Sequence, residues 1–321
     1  MKLGVFNPIL GNMPFEAMLD TLKTLGVEAI EIASGGYVGD AHCKPAELLA
    51  DAAALGRFKD AIDARGLTIS ALSCHGNPLH PDPEVSGPHQ QAWEDTVKLA
   101  QKLGVQTVVT FSGLPGGGPD DKVPNWVTCA WPTDHARAVE WQWNERLIPY
   151  WKREAEFAES HGVRVAIEMH PGFCVFQPKQ ALRLREATRS NVGVNFDPSH
   201  LFWQGIDPVK AIRYLGDSIY HFHAKDTALD PVNLPIKGVL DSDPYEDIAG
   251  RSWVFRSVGY GHPESDWRDM VSALRTVGYD FVMSIEHEDG LASRQEGLKK
   301  AVQTLKNVLL QETPDTAWWT G

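Results

Sequence analysis

The sequence predicts a single (β/α)8 barrel, the TIM-barrel class of α/β fold. Short runs rich in Val, Ile and Phe alternate with helical stretches, as expected of a parallel sheet covered by helices. Eight such runs occur, which is the number of strands that closes this barrel. Glycines recur between a helix and the strand that follows it. Together these observations favour one domain over two.

The predicted strands cover, in chain order, residues 2–7, 29–33, 68–76, 106–113, 164–170, 192–197, 218–226 and 280–288. A doubly wound open sheet is the structural alternative. It is disfavoured because no strand is followed by a G-x-G-x-x-G turn, which would mark a dinucleotide crevice.

Proline and glycine mark the predicted helices between these strands. The first helical stretch, residues 14–26, has Pro14 near its start and Gly26 at its end. A left-handed glycine lets the chain leave a helix cheaply, and the same ending recurs before later strands. The glycines in question are Gly66, Gly104, Gly162 and Gly278. The repeated unit of helix, glycine and strand supports the barrel.

Two connections, residues 114–133 and 227–263, are unusually long. Loops of this length are usually lids or binding loops, and both follow strands, so both lie on the barrel face that carries active sites. We predict a catalytic domain over residues 1–312 and a tail over 313–321. Trp318 and Trp319 in the tail are aromatic side chains able to pack on another subunit, and a homo-oligomer is expected.

Composition argues against several classes of partner. The net charge of −12 and the lack of a Lys/Arg-rich run disfavour nucleic acid. No apolar stretch approaches the roughly 20 residues of a membrane span, and the start lacks a signal-peptide layout, so a cytoplasmic protein without membrane attachment is expected. The four cysteines are scattered without a C-x-x-C pair, so neither disulfides nor a thiolate zinc site is predicted.

Four predicted strands in the second half of the chain end in a residue able to bind a divalent metal. These residues are Glu168, Asp197, His223 and Glu286. The carboxyl ends of parallel barrel strands meet at one face, so the four side chains are expected to meet there. Each alone could be solvated or ion-paired, but four together favour metal binding, because charges are seldom buried unpaired. Three carboxylates and one imidazole suit one divalent metal ion, Mn²⁺ being favoured over Mg²⁺, Co²⁺ or Zn²⁺.

Two further candidates follow these ligands. His200 forms a D-x-x-H element with Asp197 and could bind metal, contact a substrate hydroxyl or cap a helix; substrate contact is preferred. Lys225 shares the inward parity of His223 and could bind a substrate oxygen, although an exposed lysine is the default. His221, one layer deeper than His223, is predicted to be a hydrogen-bonded core histidine.

Other candidates lie in the first half of the chain. His75 is expected at the barrel mouth as a substrate ligand or proton carrier, or else as a loop cap. Asn77 starts the loop after the third strand, and Glu31 lies near the end of the second; both are candidates for substrate contact. Ser112 at the end of strand four is a weaker candidate.

The residue types suggest a reaction on a small sugar or keto-sugar. A metal holding two neighbouring oxygens of a hydroxy-ketone would stabilise the enediolate formed when the proton between them is removed. Glu168 and Glu286 come from strands three apart in barrel order, so they can flank a bound sugar as base and acid. Transfer between them inverts a centre, and a shuttle to the adjacent carbon isomerises. A metal-bound carboxylate is a weakened base, so His75 or His200 is the alternative proton carrier.

At these residues the chain resembles the sugar phosphate isomerase/epimerase family of xylose-isomerase-like TIM barrels, which includes ketose 3-epimerases and inosose dehydratases. The resemblance implies the metal ligands Glu168, Asp197, His223 and Glu286. The resemblance also includes the D-x-x-H element and the HFHAKD run at 221–226. Two features depart from ketose 3-epimerases: their Arg after the strand-seven histidine has no counterpart, and the 227–263 loop is longer. A substrate other than a simple free ketose is therefore expected.

Three alternatives stay open. The barrel subunit of C-glycoside-cleaving enzymes looks similar and would deprotonate a 3-keto sugar before eliminating its aglycone; this lyase function would imply a β-rich partner subunit. A DNA-repair endonuclease of the same superfamily would carry extra histidines, but strand four ends in Ser112 and no D-x-H pair follows His223. A non-catalytic sugar-binding barrel is the third.

Overall fold

Eight parallel strands form a closed barrel in the computed structural model, which describes residues 1–315 and 317–320. The predicted fold class is confirmed. In chain order the barrel strands are β1 (Lys2–Phe6), β2 (Ala29–Ala33), β3 (Thr68–Ser73), β4 (Thr107–Phe111), β5 (Arg164–Glu168), β6 (Val192–Phe196), β7 (Ile219–Ala224) and, after the two-stranded ribbon β8 (Asp226–Leu229) and β9 (Trp253–Arg256), β10 (Val282–Ile285). Each predicted strand overlaps one of these eight.

The barrel closes where β1 pairs with both β2 and β10. Lys2 is opposite Val282, and Gly4 is opposite Ala29. A Cβ on Gly4 would lie 2.4 Å from Cγ1 of Val282, so only glycine fits at this point of the seam. The closure places β10 next to β7, the strand that carries His221 and His223.

Helices cover the outside of the barrel. They are α1 (Phe15–Thr24), α2 (Pro45–Ala50), α3 (Ala52–Asp63), α4 (Pro83–Leu103), α5 (Thr133–Trp141), α6 (Ile148–Ser160), α7 (Pro178–Ala187), α8 (Ser199–Phe202), α9 (Pro208–Leu215), α10 (Leu234–Lys237), α11 (Glu264–Thr276) and α12 (Arg294–Val308). A π-helical stretch, Gln142–Leu147, joins α5 to α6, and 3₁₀ turns cover Asn7–Leu10, Gly36–Val38, Gly216–Ser218 and Trp318–Thr320. The five glycines predicted to end helices all have positive φ.

Apolar residues fill the layer between strands and helices, whereas the barrel interior also holds polar groups. His221 lies inside the barrel, with its Nδ1 3.1 Å from Oδ1 of Asn195 and its Nε2 3.1 Å from the hydroxyl of Ser70. Burial lowers the pKa of His221 to about 4, despite the nearby Glu31 carboxylate, so its ring is neutral. The prediction of a hydrogen-bonded core histidine is confirmed.

The long connection after β7 is an ordered insertion. Strands β8 and β9 pair antiparallel, with Asp226 opposite Arg256, and α10 lies between them. The Asp226 carboxylate fastens the end of the insertion: one oxygen accepts from the backbone N–H groups of Gly259, Gly261 and His262, each at 3.0 Å. The other lies 2.8 Å from Nδ1 of His262.

The helices and the C-terminal tail bear on two further predictions. None of the helices in residues 1–315 and 317–320 combines the length and apolar character needed to cross a membrane. In the tail, the Trp319 side chain is exposed. The Trp318 side chain, Thr316 and Gly321 lie outside the described residues, and the boundary at 312 stays a prediction.

Candidate active site

The four strand-end residues meet at the carboxyl end of the barrel. Glu168 ends β5, Asp197 directly follows β6, His223 lies in β7, and Glu286 directly follows β10. Each offers one ligand atom, and these atoms lie within 4.8 Å of one another. Glu168, Asp197 and His223 are buried, and the Glu286 side chain is 14% exposed. The structure thus brings together the four residues predicted to bind metal.

Three atoms of this cluster lack a hydrogen-bond partner among the described residues: Oδ2 of Asp197, Nδ1 of His223 and Oε2 of Glu286. They are close enough for ion pairing, since His223 Nδ1 lies 3.0 Å from Glu286 Oε2, but they are not oriented for a hydrogen bond. The Lys225 ammonium also lies 2.8 Å from Glu286 Oε2 and 3.2 Å from Asp197 Oδ2, so charge pairing offsets part of the cost of burying these atoms without a hydrogen bond. Carboxylate oxygens and an imidazole nitrogen that converge in this way fit a divalent cation.

Glu31 orients His223. The Nε2 of His223 lies 2.8 and 3.0 Å from the two carboxylate oxygens of Glu31, and the hydroxyls of Ser73 and Ser284 donate to the same carboxylate at 2.5 and 2.7 Å. Because a carboxylate only accepts, Nε2 carries the proton and Nδ1 is left for a metal. Glu31 is completely buried beneath His223, so the expectation of substrate contact is wrong. Its observed contact fixes the orientation of the His223 imidazole.

Burial and neighbouring charges compete at each carboxylate of the cluster. Burial favours a neutral Glu31, but the imidazoles of His223 and His221 and the hydrogen bonds outweigh it and lower the pKa of Glu31 to about 2. Burial is likewise outweighed at Glu168, whose pKa is held well below its usual range by His223 and His75. Burial is the larger effect at Asp197, where it raises the pKa against the pull of Lys225 and His200.

Lys225 is buried within the cluster rather than exposed, so the default expectation for this residue is wrong. Its Nζ lies 2.8 Å from Glu286 Oε2, 2.9 Å from Glu288 Oε2 and 3.2 Å from Asp197 Oδ2, and it lies over the ring of Phe255. These carboxylates outweigh burial and raise the pKa of Lys225 well above its usual value. Glu288 was not predicted, although it has the same strand parity as Glu286.

Both predicted proton carriers contact Glu168. The Nε2 of His75 lies 2.9 Å from Glu168 Oε2. The Nε2 of His200 lies 3.3 Å from Glu168 Oε1 and 3.2 Å from Asp197 Oδ2. Asn195, which the sequence reasoning missed, donates to Glu168 Oε2 at 2.9 Å; its position two residues before Asp197, with inward parity, was the available signal.

Asn77 holds two loops together instead of facing a substrate. Its amide nitrogen donates to the carbonyl of Leu114 at 2.9 Å, and its oxygen accepts from the N–H of Leu114 at 2.8 Å. The oxygen and one N–H of the buried amide are engaged in this way, so the structure gives Asn77 a contact between loops in place of the expected substrate contact. Ser112 has a similar structural role, because its hydroxyl accepts from the N–H of Val175 at 3.0 Å.

A cleft of about 270 Å³ adjoins the cluster at His200. Its walls come from both long connections and from the segments after β5 and β6. They include Trp126, Thr128, His170, Trp203, Tyr245 and Trp253. His170 was not predicted; its Nδ1 lies 2.5 Å from the carbonyl of Pro171, and it forms a second possible metal-binding group with Glu168 and His200. Burial keeps the pKa of His170 well below its usual value, so its ring is neutral.

A larger cleft of about 550 Å³ lies at the opposite end of the barrel. Thr68, Arg164 and Ile219, the first residues of three barrel strands, line it. Active sites of these barrels form at the carboxyl ends of the strands. The smaller cleft beside His200 is therefore the candidate active-site cleft.

Two relatives are similar in sequence to this chain, one over nearly its whole length and one over about a third of it. The uncharacterized protein YfiH of Bacillus subtilis strain 168 is 38% identical over 314 residues, which is 97% of this chain and 100% of YfiH. An inosose dehydratase of Geobacillus kaustophilus strain HTA426 is 29% identical over 106 residues, 33% of this chain and 34% of the dehydratase.

Solved structures share the fold at lower identity. A structure of the IolI protein with a bound zinc atom has a TM-score of 0.66 at 20% identity and covers 96% of this chain and 98% of IolI. A D-psicose 3-epimerase structure determined with D-fructose has a TM-score of 0.60 at 17% identity and covers 96% and 99%. The model of the xylose isomerase-like TIM-barrel family matches residues 19–308. The chain therefore belongs to the xylose isomerase-like TIM-barrel family.

Proposed function

We propose that the protein is a divalent-metal-dependent sugar isomerase or epimerase that removes a proton next to the carbonyl of a ketose or keto-sugar. One observation carries this proposal: Glu168, Asp197, His223 and Glu286 converge, and three of their buried atoms lack a hydrogen bond within the described chain. A structure of IolI with a zinc atom and a structure of D-psicose 3-epimerase determined in the presence of D-fructose have the same fold, which is compatible with the proposal.

The four residues would hold one divalent cation, for which Mn²⁺ is the favoured choice. When bound, such a cation supplies Lewis-acid polarisation of the substrate carbonyl and offsets the negative charge that develops on its oxygen. His223 would bind through Nδ1, because Glu31 takes the proton of Nε2.

Glu168 and Glu286 are the proposed base and acid. They lie on β5 and after β10, with β6 and β7 between them in the barrel, so they approach a bound sugar from different sides. Burial raises the pKa of both carboxylates, but it is outweighed by His223 and His75 together at Glu168 and by Lys225 and His223 together at Glu286. Each is therefore ionised and able to accept a proton. One removes a proton; the other, once it has taken up a proton from solvent, delivers that proton to the opposite face and so inverts the carbon. Return of the removed proton to the neighbouring carbon isomerises the sugar.

Neighbouring groups hold these carboxylates in place. His75 and Asn195 contact Oε2 of Glu168, which leaves Oε1 facing His200. Lys225 contacts Oε2 of Glu286. The Phe255 ring covers Lys225 and meets the ring of His200 edge-on at 5.4 Å, so it helps to keep water from the reacting atoms.

A lyase acting on keto-glycosides is the second candidate, and the aromatic cleft beside His200 favours it. The same proton removal next to a ketone would be followed by loss of a group from the carbon beyond, which forms a double bond. The partial similarity to an inosose dehydratase is compatible with an elimination. In this reading a β-rich partner subunit is expected, which co-purification from the native host would reveal.

Metal content and hydrogen exchange test the proposal. The purified protein should hold about one divalent metal per chain, and Asp197→Asn and Glu286→Gln should lose most of it. Metal-loaded protein incubated in D₂O with ketoses and 3-keto glycosides should place deuterium at one carbon next to the carbonyl. A recovered epimer or isomer supports the isomerase, and a released aglycone supports the lyase. Absence of exchange across the whole panel, with metal bound, would refute both.

A further inference from the structure

The candidate cleft has rigid aromatic walls. Trp203 and Trp253 stack with ring centres 4.7 Å apart and planes within 5°. Trp253 donates from its indole to the carbonyl of Val239 at 3.0 Å. The buried guanidinium of Arg251 lies over both Trp253 and Tyr245, at 4.6 and 4.3 Å from the ring centres. A buried cation packed against both rings holds them in place, so the shape of the cleft is built into the fold.

The cleft continues from the metal cluster. His200 lines it, and the Nε2 of the same residue lies 3.2 Å from Asp197 and 3.3 Å from Glu168. A molecule whose reacting carbon lies at the cluster would therefore extend past His200 into the cleft. Both long connections contribute walls, Trp126 from the first and Tyr245 from the second.

The lining selects a ring that carries oxygens. Flat indole and phenol faces stack on rings. The indole nitrogens of Trp126 and Trp203 are buried donors without an acceptor in the described structure, and the cleft also holds the hydroxyl of Ser242 and the ring of His170. No Lys or Arg lies among the described residues that line it, so nothing there would neutralise a phosphate. Its volume of about 270 Å³ suits one ring rather than a chain of several.

From this arrangement we infer that the substrate is a glycoside: a keto-sugar at the metal cluster, joined to a second, oxygen-bearing ring that stacks in the cleft. The second ring is either another sugar or a phenolic group, which share hydroxyl or ether oxygens on a flat body. A free monosaccharide would leave the cleft empty, and a sugar phosphate would find no cation there. The inference rests on the proposed function for the place of the reacting carbon.

Equilibrium binding tests the inference without turnover. Metal-loaded protein is titrated by calorimetry and by tryptophan fluorescence with methyl β-D-glucopyranoside, cellobiose, 4-nitrophenyl β-D-glucopyranoside and glucose 6-phosphate, none of which carries the ketone. Cellobiose or the nitrophenyl glycoside should bind about tenfold more tightly than the methyl glycoside. Whichever of the two is tighter identifies the second ring as a sugar or an aromatic group.

Variants locate the preference. Trp126→Ala should remove most of it, and Thr128→Trp should do the same by filling the cleft from an exposed position, without removing any packing. Trp131→Ala is the matched control, because Trp131 belongs to the same connection but is 77% exposed and does not line the cleft. It should leave the preference unchanged.

Several results would overturn the inference: equal binding of all the glycosides, tightest binding of glucose 6-phosphate, binding of none of the four probes, or the same loss in Trp131→Ala as in Trp126→Ala. These outcomes are independent of the exchange experiment. Selective glycoside binding without deuterium exchange would reject the proposed reaction and keep the cleft assignment; exchange on free ketoses with no glycoside preference would do the reverse.

Discussion

Replacing Glu31 with Gln tests whether a residue that cannot reach substrate controls the metal. The Glu31 carboxylate accepts the His223 Nε2 proton at 2.8 Å and is itself held by Ser73 and Ser284. A hydrogen bond to a charged group contributes about 1.5–3 kcal/mol, and a neutral one about 0.5–1.5 kcal/mol. The amide retains an acceptor but loses the charge, so about 1–2 kcal/mol of support for the correct tautomer disappears. That corresponds to about a 5- to 30-fold loss of metal affinity.

Competition with a chromophoric chelator measures this affinity directly. Glu154→Gln is the matched control, because Glu154 is also buried and also accepts a hydrogen bond, from the indole of Trp93 at 2.8 Å, but lies between α4 and α6 outside the barrel. The control should bind metal like the wild type. Equal affinities in wild type and Glu31→Gln, with both folded by circular dichroism, would refute the assigned role of Glu31.

Three further predictions concern protonation, closure and the insertion. Burial lowers the pKa of His223, but the surrounding carboxylates outweigh it and raise that pKa well above its usual value. The His223 imidazole is therefore protonated in the metal-free protein. Metal uptake near pH 7 should release about one proton, seen as a buffer-dependent calorimetric enthalpy, and affinity should rise with pH; an enthalpy that is the same in every buffer would contradict this. Gly4→Ala should lower the free energy of unfolding by about 1–3 kcal/mol in urea titrations, because its Cβ would meet Val282, whereas Gly56→Ala, with open space around it, should not destabilise. Asp226→Ala should free the 227–263 insertion and make it the first site of limited proteolysis, while the far-ultraviolet circular dichroism stays that of the wild type.

Strand ends were the part of the site that sequence could predict. Hydrophobic runs locate the strands, and the alternation of side chains tells which residues share a face. In a parallel barrel all strands end on one side, so Glu168, Asp197, His223 and Glu286 had to be neighbours once the fold was known. No distance had to be guessed, because the topology supplies the proximity.

Contacts across the barrel could not be predicted in this way. Glu31 on β2 meets His223 on β7, and these strands are separated in the sheet by β1 and β10. Whether the carboxylate faces a histidine or a substrate depends on the depth of each residue in the barrel, which involves register shifts such as the one between Ile30 and Glu31. The burial of Lys225 was missed for the same reason, since the three carboxylates around it come from the segments that follow β6 and β10.

The hydrogen bonds of Asp226 make the insertion between β7 and α11 structurally independent of the barrel strands. The carboxylate that begins the insertion also binds the backbone of Gly259, Gly261 and His262 at its end, so the two ends are fixed to each other next to the barrel. The residues between these points can therefore change in number or type without shifting β7 or β10, because the Asp226 hydrogen bonds hold the two ends of the insertion together. Related barrels could exchange this segment as a unit and so acquire new ring preferences while keeping the same proton chemistry, and an engineer could graft it for the same purpose.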